Sequence, residues 1–164
     1  MGYMKKYYPD EVIDRVENIN LEDLKKKNIT TLICDVDNTL CTHDSCNVSQ
    51  NKKNWILQAQ SMGMRVILIS NNHVSRIEKI ATSLNCAAFG FALKPFPHTY
   101  RKILKTYHLS KDEVVCIGDQ LMTDIWGARL MRLKNIYVKP MSESDIIYTK
   151  FSRKIEKKIM KEKL

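Results

Sequence analysis

Short apolar runs alternate with segments of helical periodicity along most of the chain. The apolar runs have the length of buried strands and occupy residues 31–35, 65–70, 87–91, 114–119 and 135–138. Between them, apolar side chains recur at helical spacing in residues 49–62, 74–84, 98–107 and 123–132. This alternation predicts an α/β fold, a three-layer sandwich with a mostly parallel, Rossmann-like sheet of five strands.

The length of 164 residues is that of one ordinary domain. We predict a single domain over residues 1–164, with an N-terminal helical extension over about residues 1–29 and a basic C-terminal helix over about residues 146–164. No apolar run approaches the roughly 20 residues that span a bilayer. The start of the chain also lacks the apolar core of a secretory signal.

Two features of composition bear on location and partners. The five cysteines are irregularly spaced, which favours free thiols and a cytoplasmic protein over a disulfide framework. The net charge of +9 favours anionic partners, namely nucleic acid, an anionic membrane surface or phosphorylated substrates. A lysine-rich surface that serves only solubility explains the same charge.

Polar residues follow the predicted strands where each strand ends. In a parallel sheet, ligands bind beyond the carboxyl ends of the strands, at a point where the strand order reverses. We therefore expect the functional site among these residues, which are Asp35, Asp37, Ser70, Asn71, Asn72, Lys94, Asp119 and Asp124.

The first of these groups contains two carboxylates, Asp35 and Asp37, and a hydroxyl, Thr39. One carboxylate could attack phosphorus and form an aspartyl phosphate. The other could protonate the leaving oxygen and then take a proton from water. Thr39 could fix the geometry of the turn. An aspartate-rich turn that only closes a strand explains this group equally well.

The later groups each offer one further function of a phosphoryl-transfer site. Ser70 and the backbone N–H groups after it, from Asn71 onward, could hold a phosphoryl oxygen. Lys94 could neutralise phosphate charge. Asp119 and Asp124 are hard oxygen ligands of the kind that Mg²⁺ prefers. Taken singly, each is also ordinary turn, surface or helix-capping chemistry.

In this order, the four groups resemble motifs I to IV of the haloacid dehalogenase (HAD) superfamily, which are D-x-D-x-T, a strand-end Ser or Thr, a Lys, and G-D-x-x-x-x-D. The resemblance covers about residues 30–140. It implies a phosphatase in which Asp35 is the nucleophile and Asp37 the general acid and base. Other implied roles are phosphate binding by Thr39, Ser70, Asn71 and Lys94, and Mg²⁺ binding by Asp35, the Asp37 carbonyl, Asp119 and, less directly, Asp124.

The resemblance narrows to compact class III HAD phosphatases of the bacterial YqeG type, whose relatives include mitochondrial phosphatidylglycerophosphate phosphatases. It extends to residues 8–10, 37–40, 70–72, 94–95 and 118–124 and to the basic tail after Phe151. The intervals from Thr39 to Ser70 and from Ser70 to Lys94 are too short for a cap domain. We therefore expect an open site, suited to a bulky or surface-borne substrate, with phosphatidylglycerophosphate as the first substrate to consider.

Two segments remain open to alternatives. Residues 41–46 contain four potential metal ligands, and we interpret them as a polar loop over the active site rather than a zinc site. In the tail, Phe151, Ile155 and Ile159 recur at helical spacing among many lysines. Such a helix either packs on the domain or contacts the inner face of an anionic membrane.

Two other functions compete with lipid phosphate hydrolysis. One is a phosphatase for a soluble or protein-borne phosphate. The other is a non-catalytic RNA- or ribosome-binding module that uses the basic surface. Nucleic acid is the weaker alternative, because the sequence contains no RNA-binding motif and no aromatic stacking platform.

Overall fold

One parallel six-stranded sheet forms the centre of the computed structural model, which describes residues 7–142. The order of its strands is β1-β6-β5-β2-β3-β4. The strands are β1 Glu11–Ile13, β2 Thr31–Asp35, β3 Arg65–Ile69, β4 Ala87–Phe89, β5 Val114–Gly118 and β6 Lys134–Val138. The predicted α/β fold is confirmed, although the sheet has six strands and not five. The predicted basic helix from about residue 146 lies outside the described residues.

Helices cover both faces of this sheet. They are α1 Leu21–Lys26, α2 Gln50–Ser61, α3 Val74–Ser83, α4 His98–Thr106 and α5 Trp126–Leu130. Three shorter elements are the 3-10 turns Val16–Asn18 and Lys111–Glu113 and the π-helical turn Leu121–Ile125, which runs directly into α5. Within residues 7–142, no helix is both long and apolar enough to cross a membrane.

Successive side chains of β2 pack alternately into two different hydrophobic clusters. Leu32 and Cys34 pack into the cluster that contains α1, α2 and α3 side chains. Ile33, between them, packs into the cluster that contains α4 and α5 side chains. All three residues are fully buried. A strand that is buried on both faces reads as a continuous apolar run, which is why the sequence predicted the bounds of β2.

The expectation of a helical N-terminal extension is wrong for residues 11–13. These residues form β1, which pairs in parallel with β6 at the edge of the sheet. Asp10 fixes this pairing, because its N–H donates to Asn135 Oδ1 at 3.0 Å and its carboxylate accepts from the Asn135 N–H at 3.0 Å. A three-residue strand carries no readable periodicity, so its pairing partner 125 positions away decides its conformation.

The topology places the end of β2 at the point where the strand order reverses. From β2, the chain continues to β3 and β4 on one side and later to β5 and β6 on the other. The interval between Thr39 and Ser70 holds α2 and β3, and the interval between Ser70 and Lys94 holds α3 and β4. Both intervals are described throughout, and neither contains a further folded unit that could cover the site.

Replacing Asn135 with alanine should lower the free energy of unfolding by about 1–3 kcal/mol, because it leaves the Asp10 N–H without the side-chain acceptor that binds it. Urea denaturation measures the change. Asn51→Ala, at an exposed position of α2, is the matched control and should leave stability unchanged or slightly higher. Equal effects of the two substitutions would contradict this account of the β1 edge.

Candidate active site

A tight turn after β2 holds the first two carboxylates. Asp35 ends the strand, and Asp37 follows in a turn closed by hydrogen bonds from Asn38 N–H to Cys41 O at 2.7 Å and from Leu40 N–H to Val36 O at 2.9 Å. Asn38 has a φ of 60°. Asparagine tolerates this left-handed conformation better than most residues, so the sequence suits the turn.

Three of the predicted carboxylates meet in the interior. Oxygen atoms of Asp35, Asp119 and Asp124 lie within 4.8 Å of one another. Lys94 Nζ contacts Asp35 Oδ1 and lies 2.6 Å from Asp124 Oδ1. All four residues are buried, with Lys94 the most exposed at 7%. One ammonium against three carboxylates leaves an excess of negative charge within this cluster.

The protonation of the cluster reflects that excess. Burial raises the pKa of Asp35 well above its usual range, and the neighbouring Asp124 and Asp119 carboxylates add to the rise, while Lys94 opposes it. Burial alone would lower the pKa of Lys94, but Asp124 and Asp35 outweigh it and raise the pKa above the usual range. Crowded carboxylates thus keep the ammonium charged and favour a further positive charge beside them.

The donor set fits a divalent cation. Carboxylate oxygens are the ligands that hard divalent ions prefer, and a site with few carboxylates leaves room for water and phosphate. The three carboxylates of Asp35, Asp119 and Asp124 are near enough to one another to share one ion. Among residues 7–142, no other group of three or more such side chains could hold a metal.

Gly118 permits the approach of Asp124 to β5. A Cβ added at residue 118 would lie 2.4 Å from Asp124 Cγ and Oδ2 and 2.6 Å from its Cβ. Asp124 has little freedom to move, because its Oδ2 accepts from Gln120 N–H at 3.1 Å and its Oδ1 contacts Lys94. The glycine of the Gly118-Asp119 pair is therefore a packing requirement of the site.

Asp37 has different surroundings from Asp35. Its Oδ2 accepts from Ser70 Oγ at 2.8 Å and from Asn72 Nδ2 at 2.9 Å. Its Oδ1 lies 2.5 Å from Arg76 Nη1. The Asp37 side chain is 16% exposed, against 7% for Asp35. The two carboxylates therefore lie at different depths of the same site, each beside its own cation.

Arg76 is a site residue that the sequence motifs did not predict. Besides Asp37, its guanidinium donates from Nη2 to Thr42 O at 2.9 Å and to Ser45 O at 2.6 Å. Residues 41–46, predicted to form a polar loop over the active site, are therefore anchored next to Asp37. Arg76 lies in the first turn of α3, directly after the Ser70 group, and this position at a strand end was the only available signal.

Two of the side chains predicted to bind phosphate, those of Asn71 and Thr39, contact other site residues. The Asn71 side-chain amide makes two hydrogen bonds to the Lys94 backbone. It accepts from Lys94 N–H at 2.8 Å and donates to Lys94 O at 3.2 Å. Thr39 Oγ1 donates to Asp35 Oδ2 at 3.3 Å. The structure thus brings together every predicted site residue, and these two position the ammonium and the nucleophile candidate.

Comparison with known proteins agrees with this geometry. A HAD-hydrolase-like family model matches residues 92–141. The probable phosphatase YqeG of Bacillus subtilis (strain 168) is 32% identical over 158 residues, which are 96% of this chain and 92% of the relative. The chain belongs to the YqeG-type family of HAD phosphatases. The resemblance inferred from the sequence motifs is therefore confirmed at the level of the family.

Solved structures show that the YqeG-type fold is shared more widely. An uncharacterized protein from Listeria monocytogenes serotype 4b aligns with a TM-score of 0.60 at 17% identity, over 73% of this chain and 85% of that chain. The cobalt-bound deoxy-D-mannose-octulosonate 8-phosphate phosphatase from Haemophilus influenzae aligns with a TM-score of 0.57 at 16% identity, over 78% of this chain and 77% of that chain. At these identities the likeness shows the fold alone.

Gly118→Ala should reduce activity per folded molecule at least about tenfold, because the new methyl group displaces Asp124 from Lys94. It should also destabilise the fold by about 1–3 kcal/mol through overpacking. The control is Gly63→Ala, where the Cβ meets open space but φ is +83°. That variant should lose stability and keep its activity per folded molecule, as measured by phosphate release and thermal unfolding. Equal activity losses in both would show that Gly118 has no specific role in the site.

Proposed function

We propose that this protein hydrolyses a phosphomonoester by way of an aspartyl phosphate on Asp35, with Mg²⁺ as the metal. The observation that carries the proposal is the buried contact of Lys94 Nζ with both Asp35 and Asp124, with Asp119 close by. An ammonium and a carboxylate so arranged can neutralise an incoming phosphoryl group and attack it. Membership of the YqeG-type family supports the same reaction.

In the first step, a carboxylate oxygen of Asp35 attacks phosphorus and the ester oxygen leaves with a proton from Asp37. Lys94 shields the Asp35 charge from the phosphate that it approaches. Ser70 turns its hydroxyl from Asp37 Oδ2 to a phosphoryl oxygen. This exchange removes one donor from Oδ2 of Asp37, and Arg76 continues to hold Oδ1.

In the second step, Asp37 takes a proton from water, which attacks phosphorus and restores the Asp35 carboxylate. The Arg76 contact keeps Asp37 beside the mouth of the site in both steps. Asp35, Asp119 and the Asp37 carbonyl would hold Mg²⁺, with Asp124 in support. The ion would neutralise charge on the phosphoryl oxygens and orient the group.

Phosphatidylglycerophosphate is our first choice of substrate. The absence of a cap unit between residues 39 and 94, all of which are described, would allow a headgroup to enter while its lipid stays in a bilayer. The high lysine content of residues 150–163 supports peripheral contact with an anionic membrane, with about 1 kcal/mol for each basic residue near the surface.

A phosphatase for a soluble phosphate is the second candidate. It is favoured by the fold shared with the Haemophilus influenzae enzyme, whose name gives a sugar-acid 8-phosphate as its substrate. A panel of substrates separates the candidates by phosphate release. It includes phosphatidylglycerophosphate in vesicles, sugar phosphates and nucleotides. Preference for the lipid supports the first choice, and preference for a small phosphate supports the second.

Asp35→Asn should lower phosphate release on every substrate of the panel by at least about a thousandfold, because the amide cannot attack phosphorus. The fold should survive, since the two side chains have nearly the same size. Asp112→Asn, at an exposed carboxylate outside the site, is the matched control and should retain activity. An active, purified Asp35→Asn protein would overturn the covalent mechanism.

Removal of metal with EDTA should abolish phosphate release, and added Mg²⁺ should restore it. Mg²⁺ should also raise the melting temperature of the wild type, because the ion binds only the folded site. Asp119→Ala should remove that stabilisation and raise the Mg²⁺ concentration needed for activity. Full activity in EDTA, or equal stabilisation of both proteins by Mg²⁺, is the result that speaks against this site.

A further inference from the structure

The segment between β4 and α4 exposes three large apolar side chains. Phe91, Leu93 and Phe96 are 53%, 60% and 67% exposed, and we call this segment, residues 90–97, the apolar loop. Of the residues between them, Ala92 and Lys94 point the other way, since they are 0% and 7% exposed. The outer side of the loop is thus apolar, and its inner side carries the lysine of the active site.

The backbone holds these side chains in the exposed position. Phe91 and Leu93 have φ values of 45° and 52°, a left-handed conformation that is unfavourable for bulky residues. Hydrogen bonds from Phe91 N–H to Asn72 O at 3.1 Å and from Ala92 N–H to Ser70 O at 2.9 Å fix the loop to the segment that follows β3. Such strain at a functional site persists because the surrounding structure enforces it.

The chain segment that contains the apolar loop is cationic. The chain contains no Asp or Glu from residue 79 to residue 111, although six Lys and Arg residues lie there. Of these, Arg101 and Lys102 are exposed on α4, directly after the loop. Lys102 Nζ lies 5.8 Å from the ring centroid of Phe89, so its charge stays next to the loop.

We propose that the apolar loop docks the active site on the surface of an anionic phospholipid bilayer. Aromatic and leucine side chains can enter the boundary between headgroups and acyl chains, and adjacent lysines and arginines bind lipid phosphates. An anionic bilayer complements both the exposed apolar side chains and the positive charge of this segment. The proposal rests on the proposed function, because the docked site is the phosphatase site, and it assigns lipid-borne phosphomonoesters as the substrate class.

Docking in this way explains the position of the loop relative to Lys94. Lys94 lies on the inner side of the same loop. A bilayer that touches Phe91, Leu93 and Phe96 would therefore be separated from Lys94 and Asp35 only by the loop itself. A phosphate on a lipid headgroup could then reach Asp35 while the acyl chains stay in the bilayer.

Vesicle co-sedimentation tests the docking without catalysis. The full chain carrying Asp35→Asn is mixed with phosphatidylcholine vesicles containing phosphatidylglycerol, at low and high salt. The test variant adds Phe91→Asn, Leu93→Asn and Phe96→Asn, because asparagine tolerates the left-handed backbone. The matched control adds Leu57→Gln and Leu130→Gln, two leucines with similar exposure (57% and 52%) on α2 and α5.

We expect the test variant to bind at least about tenfold more weakly than its parent and the control to bind equally well, because apolar insertion adds to electrostatic attraction. Thermal unfolding verifies the fold of each protein. If the triple variant does not fold, Phe96→Asn alone should show a smaller loss in the same direction. Binding of the parent should also weaken at high salt.

Three results would overturn the docking. They are parental binding absent at low salt, equal binding by the test variant and its parent, and equal losses in the test and control variants. A dimer that the test variant abolishes in light scattering without vesicles would assign the loop to self-association instead. Phosphate release from a soluble phosphoester by the protein with Asp35 intact is measured separately. Release with no vesicle binding leaves the proposed phosphatase standing, and its absence on this phosphoester and on every substrate of the panel counts against that phosphatase whatever the vesicles show.

Discussion

The Lys94 ammonium, buried between the carboxylates of Asp35 and Asp124, is the contact on which the rest of the site depends. Buried carboxylates without a cation carry a desolvation cost of several kcal/mol each. Without Lys94, the carboxylates of Asp35, Asp124 and the neighbouring Asp119 would be crowded together with no ammonium between them. The Asn71 amide fixes the backbone of Lys94, and Gly118 leaves space for Asp124. Several residues that perform no chemistry are thus required by this one ion pair.

The parallel sheet allows a short chain to form this ion pair. Each of the four consecutive strands β2, β3, β4 and β5 is followed by one group of site residues, and the carboxyl ends of parallel strands meet at one edge. Because β2 lies in the middle of the sheet, groups from both sides converge on Asp35. No inserted unit is needed to complete the site. The loops 41–46 and 90–97 therefore lie at its mouth.

Two cations distinguish the two aspartates of the first motif. Asp35 is paired with Lys94 in the interior, and Asp37 is paired with Arg76 nearer the surface. In the proposed mechanism, these identical side chains two positions apart serve as nucleophile and as proton carrier. Neighbouring residues of the apolar loop also differ in their surroundings, because Lys94 faces the site while Leu93 beside it is exposed.

The sequence by itself determined those features whose signal is local. The strand 31–35 could be predicted because both of its faces are buried, and Asp35, Asp119 and Asp124 could be expected because their motifs resemble those of the HAD superfamily. Only the tertiary structure decided that residues 11–13 form a strand, that Arg76 holds Asp37, and that Phe91 and Phe96 are exposed. Each of these features depends on groups far apart in the chain or on a backbone conformation imposed by them, and residue type or periodicity within a short window carries no record of such contacts.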